Sequence, residues 1–304
     1  MQQQTVTYSG DPLYIKRNVV TKYAFATRVG FVPNNPHKVN QDSFVLHPNF
    51  NKSPYCHMFG VCDGHGMAGR EASDFIKQKL PPLVEAITQQ EHEYDLQRSA
   101  RDGADDALAF ANFIERTEHP FAPQFSRATY ESLLVQAFTQ CNNELNAQSF
   151  DTALSGSTVV TVHFEGTRLV CGNLGDSRAV KCQISLREAQ VGEPDEESMQ
   201  VMAIELSKDH KLDDPRECDR VLAAGGRVES FKDTMNPNES IGPRRVWLPD
   251  QDLPGLAMSR SMGDQVAHSV GVTDEPEVLE YLLGPNDRFV IIGSDGLWEF
   301  LSNE

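Results

Sequence analysis

The sequence has no CxxC pair, no apolar N-terminal leader and no apolar run long enough to cross a bilayer. Without CxxC spacing, the six cysteines (Cys56, Cys62, Cys141, Cys171, Cys182 and Cys218) read as free thiols. Cys56, Cys62, Cys171 and Cys182 lie in or beside strand-like apolar runs, where a thiol behaves as a small hydrophobe. A reducing compartment is therefore expected. The opening Met1-Gln2-Gln3-Gln4-Thr5 is polar and shows no signal peptide, so the expected location is cytoplasmic or nuclear, not secreted. Nothing resembles a P-loop, a GxGxxG nucleotide loop or an HExxH helix. Basic residues are scarce: 27 against 44 acidic ones leave a formal charge of −17. That balance argues against nucleic acid or an anionic membrane as a partner. It favours divalent cations and basic partner segments. No internal repeat stands out, and the 304 residues are read as one domain, 1–304.

What the sequence does contain is a short apolar strand, residues 58–62, that runs into Asp63-Gly64-His65-Gly66. Near the other end, residues 289–294 run in the same way into Asp295-Gly296. Strands ending in Asp-Gly can bring carboxylates to one rim of a core. Taken singly, each Asp-Gly is also an ordinary turn. Carboxylates that close repel unless a cation or a shared proton neutralises them. A hard divalent ion with oxygen ligands answers best, with a histidine beside it.

Between these landmarks the hydrophobic period changes several times. Strands are expected over 23–29 and 42–46. Helical spacing follows from Ala68, with Pro81-Pro82 expected to end or kink the helix. Residues 88–125 are charged and read as a helical insertion, and residues 126–146 form a second helix with the stripe Leu133, Ala137, Cys141 and Leu145. Strands are expected over 158–164, 168–172, 177–182, 202–206, 278–282 and 288–292. Asp214-Pro215-Arg216-Glu217 writes a helix start, an acidic cap followed by proline and glutamate. Residues 190–200 read as an acidic loop, and 227–256, rich in Pro, Gly and Asn, as an irregular flap that holds Trp247. Strand runs interrupted by paired helices predict an α+β protein with antiparallel sheets covered by helices.

Short motifs occur in a fixed order: Asn40-Gln41-Asp42; Asp63-Gly64-His65-Gly66; Ser155-Gly156-Ser157-Thr158; Gly172-Asn173-Leu174-Gly175-Asp176-Ser177-Arg178; Ala257-Met258-Ser259-Arg260-Ser261-Met262-Gly263-Asp264; and Ser294-Asp295-Gly296-Leu297-Trp298. Each is weak alone. In this order, and spread from Asn40 to Trp298, they resemble the metal-dependent protein phosphatases of type 2C, which act on phosphoserine and phosphothreonine.

The resemblance implies a four-layer α-β-β-α sandwich, two central antiparallel sheets flanked by helices. It also implies two Mn²⁺ or Mg²⁺ ions in a cleft at one end. By position, Asp63 would bridge both ions and the Gly64 carbonyl would ligate one of them. Asp264 and Asp295 would hold the other, and Asp42 would bind a water on the metal, with Gln41 beside it. Asp176 resembles a residue of a third, weaker ion site shared with Asp264. His65 would be the general acid for the leaving alkoxide, after direct attack by a metal-activated water. The expected partners are phosphorylated Ser/Thr proteins, and the expected state is a monomer.

The sequence departs from the family pattern in places. Where many members carry a phosphate-gripping arginine, this chain has His37, followed by Lys38, so phosphate binding would fall to one of these cations. Gln41 stands where others carry glutamate; losing that charge implies a weaker hold on one ion. The chain also stops at Ser302-Asn303-Glu304, where the family usually continues. That leaves either a fragment or an uncovered sheet edge. The alternative function is a pseudophosphatase, the same fold serving as a binding or regulatory module. A third possibility is a hydrolase of some other phosphoester.

Overall fold

A computed structural model describes residues 3–5, 18–31, 37–101, 127–186, 199–232, 236 and 240–304. In chain order its elements are β1 (Gln3–Thr5), β2 (Lys22–Ala24), β3 (Asp42–Pro48), β4 (Cys56–His65), α1 (Gly69–Arg101), α2 (Arg127–Asn146), β5 (Gly156–Ser157), β6 (Val159–Glu165) and β7 (Arg168–Leu174). They continue with β8 (Arg178–Leu186), β9 (Met199–Glu205), α3 (Pro215–Ala223), β10 (Arg227–Lys232), β11 (Ser240–Leu248), β12 (Gln251–Leu256), β13 (Met262–Gly263), α4 (Gln265–His268), β14 (Glu277–Leu282), β15 (Asp287–Gly293) and α5 (Asp295–Trp298).

The first sheet runs β13-β5-β4-β6-β7-β14, with β3 paired to the other side of β4. The second runs β15-β8-β9, and the pairings in both are antiparallel. Side-chain alternation decides which layer each strand serves. On β4, β6 and β7, Met58, Cys62, Val159, Val170 and Leu174 turn towards α1 and α2. Their neighbours Val61, Val160, Val162, Leu169 and Cys171 turn inward, meeting Ala179, Val290, Ile292 and Leu206 of the second sheet and its flank. These strands are apolar on both faces because both faces are covered, which is why they read as continuous runs. The expected α+β sandwich of two antiparallel sheets is present. The long helices α1 and α2 lie on the first sheet; on the far face of the second, Val201, Phe289 and Ile291 stand exposed.

The helices follow the same logic. Ala72, Ile76, Leu80, Val84 and Ile87 form one buried stripe on α1; Leu133, Leu134, Ala137, Phe138, Cys141 and Leu145 form the matching stripe on α2. Pro81-Pro82, expected to end or kink the helix, do not end it: α1 continues through both. A proline inside a helix costs about 3 kcal/mol or more. Here the buried stripe resumes with Val84 and Ile87 on the same core, so burial on either side outweighs the lost backbone bonds. Of the insertion expected at 88–125, residues 88–101 extend α1 and 102–125 lie outside the described residues. Most of the acidic loop at 190–200 lies outside them too, with Met199 and Gln200 opening β9.

The stretch 227–256 is the second correction. It is not irregular: β10, β11 and β12 form a three-stranded antiparallel sheet. Gly242 and Pro243 fall in the β10–β11 register shift and Pro254 and Gly255 in those of β11–β12, and Val246, Leu256, Met258, Val270 and Val272 give the sheet a small core shared with α3. Trp247 anchors it, 6% exposed, its indole N–H donating to the Glu229 carbonyl at 2.9 Å. The short helix α3 begins as the sequence predicts, with the Asp214 carboxylate accepting from the Arg216 N–H at 2.9 Å. The strand expected at 23–29 shrinks to β2.

Two buried histidines make the fold sensitive to pH. His57 Nε2 donates to Asn18 Oδ1 at 2.9 Å while its Nδ1 accepts from the Asn49 N–H at 3.2 Å, an arrangement that only the neutral ring satisfies. His163 meets Thr161 Oγ1 at 3.2 Å inside the core. Burial pushes both down from 6.5 to about 4. Below 6.5 the unfolded chain therefore binds more protons than the folded one, and stability falls as the pH drops from about 6.5 towards 4. Thermal melting across that window checks this: the double variant His57→Gln/His163→Gln should have a flatter pH dependence. An unchanged slope would assign the effect to other groups.

Candidate active site

Asp42 and Asp63 stand directly opposite each other in the β3–β4 ladder, where like charges repel. Asp295, the first residue of α5, reaches the same rim from the end of β15 in the other sheet. Ser294 Oγ donates to Asp42 Oδ2 at 2.9 Å and so ties the two sheets together at that point. Burial, followed by the charges of Asp42 and Asp295 and hydrogen bonds with both, holds the Asp63 carboxyl well above the usual carboxylate range. The Asp63 N–H donates to Thr158 Oγ1 at 3.1 Å, which fixes the main chain beneath it.

A second acidic group sits one turn of chain away. Asp264, 2% exposed, accepts from His65 Nε2 at 2.6 Å and from Ser261 Oγ at 2.6 Å, both at Oδ2. Its backbone is left-handed, with φ 45°, a costly conformation for a residue with a Cβ. Bonds from Asp264 N to Ser155 O at 3.0 Å and from Gly263 N to Asn142 Oδ1 at 2.9 Å hold it there. Gly156 is required alongside, because a Cβ on it would collide with the Asp264 carboxylate. Burial lowers the His65 pKa, but the charge and hydrogen bond of Asp264, with help from Asp176 and the Asp63 carbonyl, outweigh it, and the net shift is upward. Asp176 is buried, with Lys211 Nζ 3.8 Å from Oδ2; burial pushes its carboxyl up to about 6 against the pull of that lysine.

The structure thus brings Asp42, Asp63 and Asp295 together, and His65 with Asp264. The segment Asp63-Gly64-His65 joins the two groups, and Gly64 packs so closely on Gly69 and Gln41 that any Cβ there would overlap their carbonyl oxygens. Among the described residues, no group of three or more His, Cys, Asp or Glu side chains is placed so that it could hold a metal ion as it stands. Asp42 is turned to Ser294 and Asp264 to His65. The donor chemistry nonetheless fits hard divalent cations: oxygen ligands only, crowded enough that a proton or a cation must sit among them. His37 and Lys38 are exposed, and no hydrogen bond or ion pair among the described residues links them to the carboxylates.

Several supporting residues escape sequence reasoning. Arg70 donates to the carbonyls of Asn40 at 3.3 Å and Asp42 at 2.9 Å, pinning the start of β3 from the first turn of α1. Ser261 is visible only as the residue three before Asp264. Glu217 is the least expected. Burial would raise its pKa, but hydrogen bonds from Arg260, Arg220 and Ser259 bring it well below the carboxylate range. Arg260 Nη2 and Arg220 Nη2 each lie 2.7 Å from it and Ser259 Oγ 2.5 Å, so α3 grips the loop that leads to Asp264.

A two-sheet α+β sandwich with acidic residues gathered at the strand ends defines the class of fold. Solved structures share it: a serine-threonine phosphatase 2C from Toxoplasma gondii matches with TM-score 0.64 and 24% identity, over 88% of this chain and 77% of that one. A sex determining protein of C. elegans matches with TM-score 0.56 and 19% identity, over 98% of this chain and 54% of that one. The family model of protein phosphatase 2C matches residues 34–304, and the chain belongs to that family. It is 31% identical over 294 residues to a probable protein phosphatase 2C of Arabidopsis thaliana, covering 93% of this chain and 71% of that protein. A probable protein phosphatase 2C of Oryza sativa is 32% identical over 266 residues, covering 87% and 58% respectively.

The Glu217 network yields a stability prediction. Glu217→Ala takes the carboxylate from Arg220 and Arg260, which keep only the carbonyls of Gly271, Ser259 and Glu275, and should cost roughly 1–3 kcal/mol, read by urea unfolding. A loss below about 1 kcal/mol would put the network in the class of solvent-screened surface pairs.

Proposed function

We propose that the chain is a Mn²⁺/Mg²⁺-dependent protein phosphatase that hydrolyses phosphoserine and phosphothreonine. The observation that carries this reading is the crowding of Asp63, Asp42 and Asp295 at one rim, where burial and like charge leave Asp63 in need of a positive neighbour. Asp63 and the Gly64 carbonyl would hold one ion; Asp63, Asp264 and Asp295 would hold another, and Asp176 with Asp264 a weaker third. When bound, the divalent ions supply a hydroxide nucleophile near neutrality and screen the charge of the phosphate.

The remaining work falls to the chain. Asp42, steadied by Ser294 and by Arg70 on its carbonyl, accepts a hydrogen bond from the attacking water and orients it. His65, its imidazolium favoured by Asp264 at 2.6 Å, gives the leaving serine or threonine oxygen its proton. Exposed Lys38, or His37 when protonated, supplies the positive charge that meets the phosphate. Phosphorylated proteins are the substrates, and the chain works as a monomer.

Activity on a phosphopeptide should appear with Mn²⁺ or Mg²⁺ and vanish with chelator; a chain that binds Mn²⁺ without turnover would be a binding module instead. His65→Gln should lower turnover roughly 10²–10⁴-fold on the alkyl phosphate. It should matter far less on an aryl phosphate, whose leaving group hardly needs the proton. Equal losses on both would remove His65 from that role.

A further inference from the structure

Gln41 sits next to Asp42, and its bonds run away from the carboxylates. Its backbone carbonyl accepts the Gly64 N–H at 3.3 Å and the Ser73 hydroxyl at 2.5 Å. Its side-chain Nε2 donates to the Gly66 carbonyl at 2.7 Å. One residue therefore grips both ends of the Gly64-His65-Gly66 turn, with His65 between the grips. The grip has a firm base, because Arg70 holds the carbonyls on either side of Gln41. The amide also lies against Gly69, where a Cβ would come within 2.9 Å of Nε2. Just beyond the turn, the Ala68 N–H donates to Ser155 Oγ at 3.0 Å, so the turn is anchored on its far side as well.

We propose that Gln41 is a positioning residue that acts through this bracket: it fixes the turn that carries His65, and it needs an amide to do so. Only a donor can face a carbonyl oxygen productively, and an ionised carboxylate has none. A glutamate of the same length would set a carboxylate oxygen against the Gly66 carbonyl and open the bracket. The missing charge at Gln41, read from the sequence as a weaker hold on an ion, thus has a second consequence. Gln41→Glu should impair the enzyme and not restore it. The catalytic arm of this proposal rests on His65 being the proton donor; the structural arm does not.

The test uses Gln41→Glu and Gln41→Met, the second removing the donor without adding charge. In metal-free protein, amide exchange over residues 64–68 should quicken about two- to tenfold in both variants, with α1 and the sheets unchanged. With Mn²⁺, both should lower kcat more on an alkyl phosphopeptide than on an aryl phosphate, with KM little moved. Unchanged exchange in both variants overturns the bracket. So does an effect confined to Gln41→Glu, because charge and not the lost donor would then be responsible. A wild type that turns over neither substrate overturns the reading of the site, and the exchange arm alone then decides the bracket.

Discussion

Three carboxyl groups share one rim of this sandwich. Asp42 and Asp63 face each other across adjacent strands, and Asp295 arrives from the second sheet. Placing them there works against folding, since burial and mutual repulsion both disfavour the ionised form of Asp63. The surrounding structure is organised to hold that arrangement. Thr158 fixes the main chain under Asp63, Ser294 bridges the sheets to Asp42, and Arg70 clamps the carbonyls around Gln41. A region that keeps such an unfavourable arrangement is best understood as prepared for a cation.

The second half of the site is held by different means. Asp264 sits in a left-handed turn that a β-carbon disfavours, and the strain is offset by a glycine neighbour, by Asn142 on Gly263 and by the Ser155 carbonyl. Farther out, Glu217 on α3 fastens the preceding loop through Arg260 and Ser259. His65 lies where the two halves meet, bonded to Asp264 and carried by the turn that follows Asp63. Rigid strands deliver the acids, and short hydrogen-bonded loops set their angles.

Much of this was legible in the sequence because burial imposes a period. The stripe Leu133, Ala137, Cys141 and Leu145 marked α2, and the cap at Asp214 marked the start of α3. The apolar run ending in Asp63 was visible as a strand, and Asp63, Asp264 and Asp295 stood out through their motifs. Local rules misled where tertiary packing won. Pro81-Pro82 looked like a stop or a kink, yet the core on both sides kept α1 going. The prolines and glycines of 227–256 looked like loop chemistry, yet Gly242-Pro243 and Pro254-Gly255 mark register shifts in a sheet anchored by Trp247. Sequence could not say which carboxylates face one another, nor that His65 turns to Asp264 and Gln41 to Gly66. Those partners are up to 199 positions apart, and only the fold brings them together.

The direct test of the central claim is thermal melting of the wild type and Asp63→Asn, each with and without Mn²⁺. If crowded carboxylates await a cation, metal raises the melting temperature of the wild type. Without metal, Asp63→Asn melts at or above the wild type, because the cost of burying and protonating that carboxyl beside Asp42 and Asp295 is gone, and with Mn²⁺ the order reverses. A wild type whose melting temperature ignores Mn²⁺, or an Asp63→Asn variant that responds to the ion as fully as the wild type does, would contradict the account.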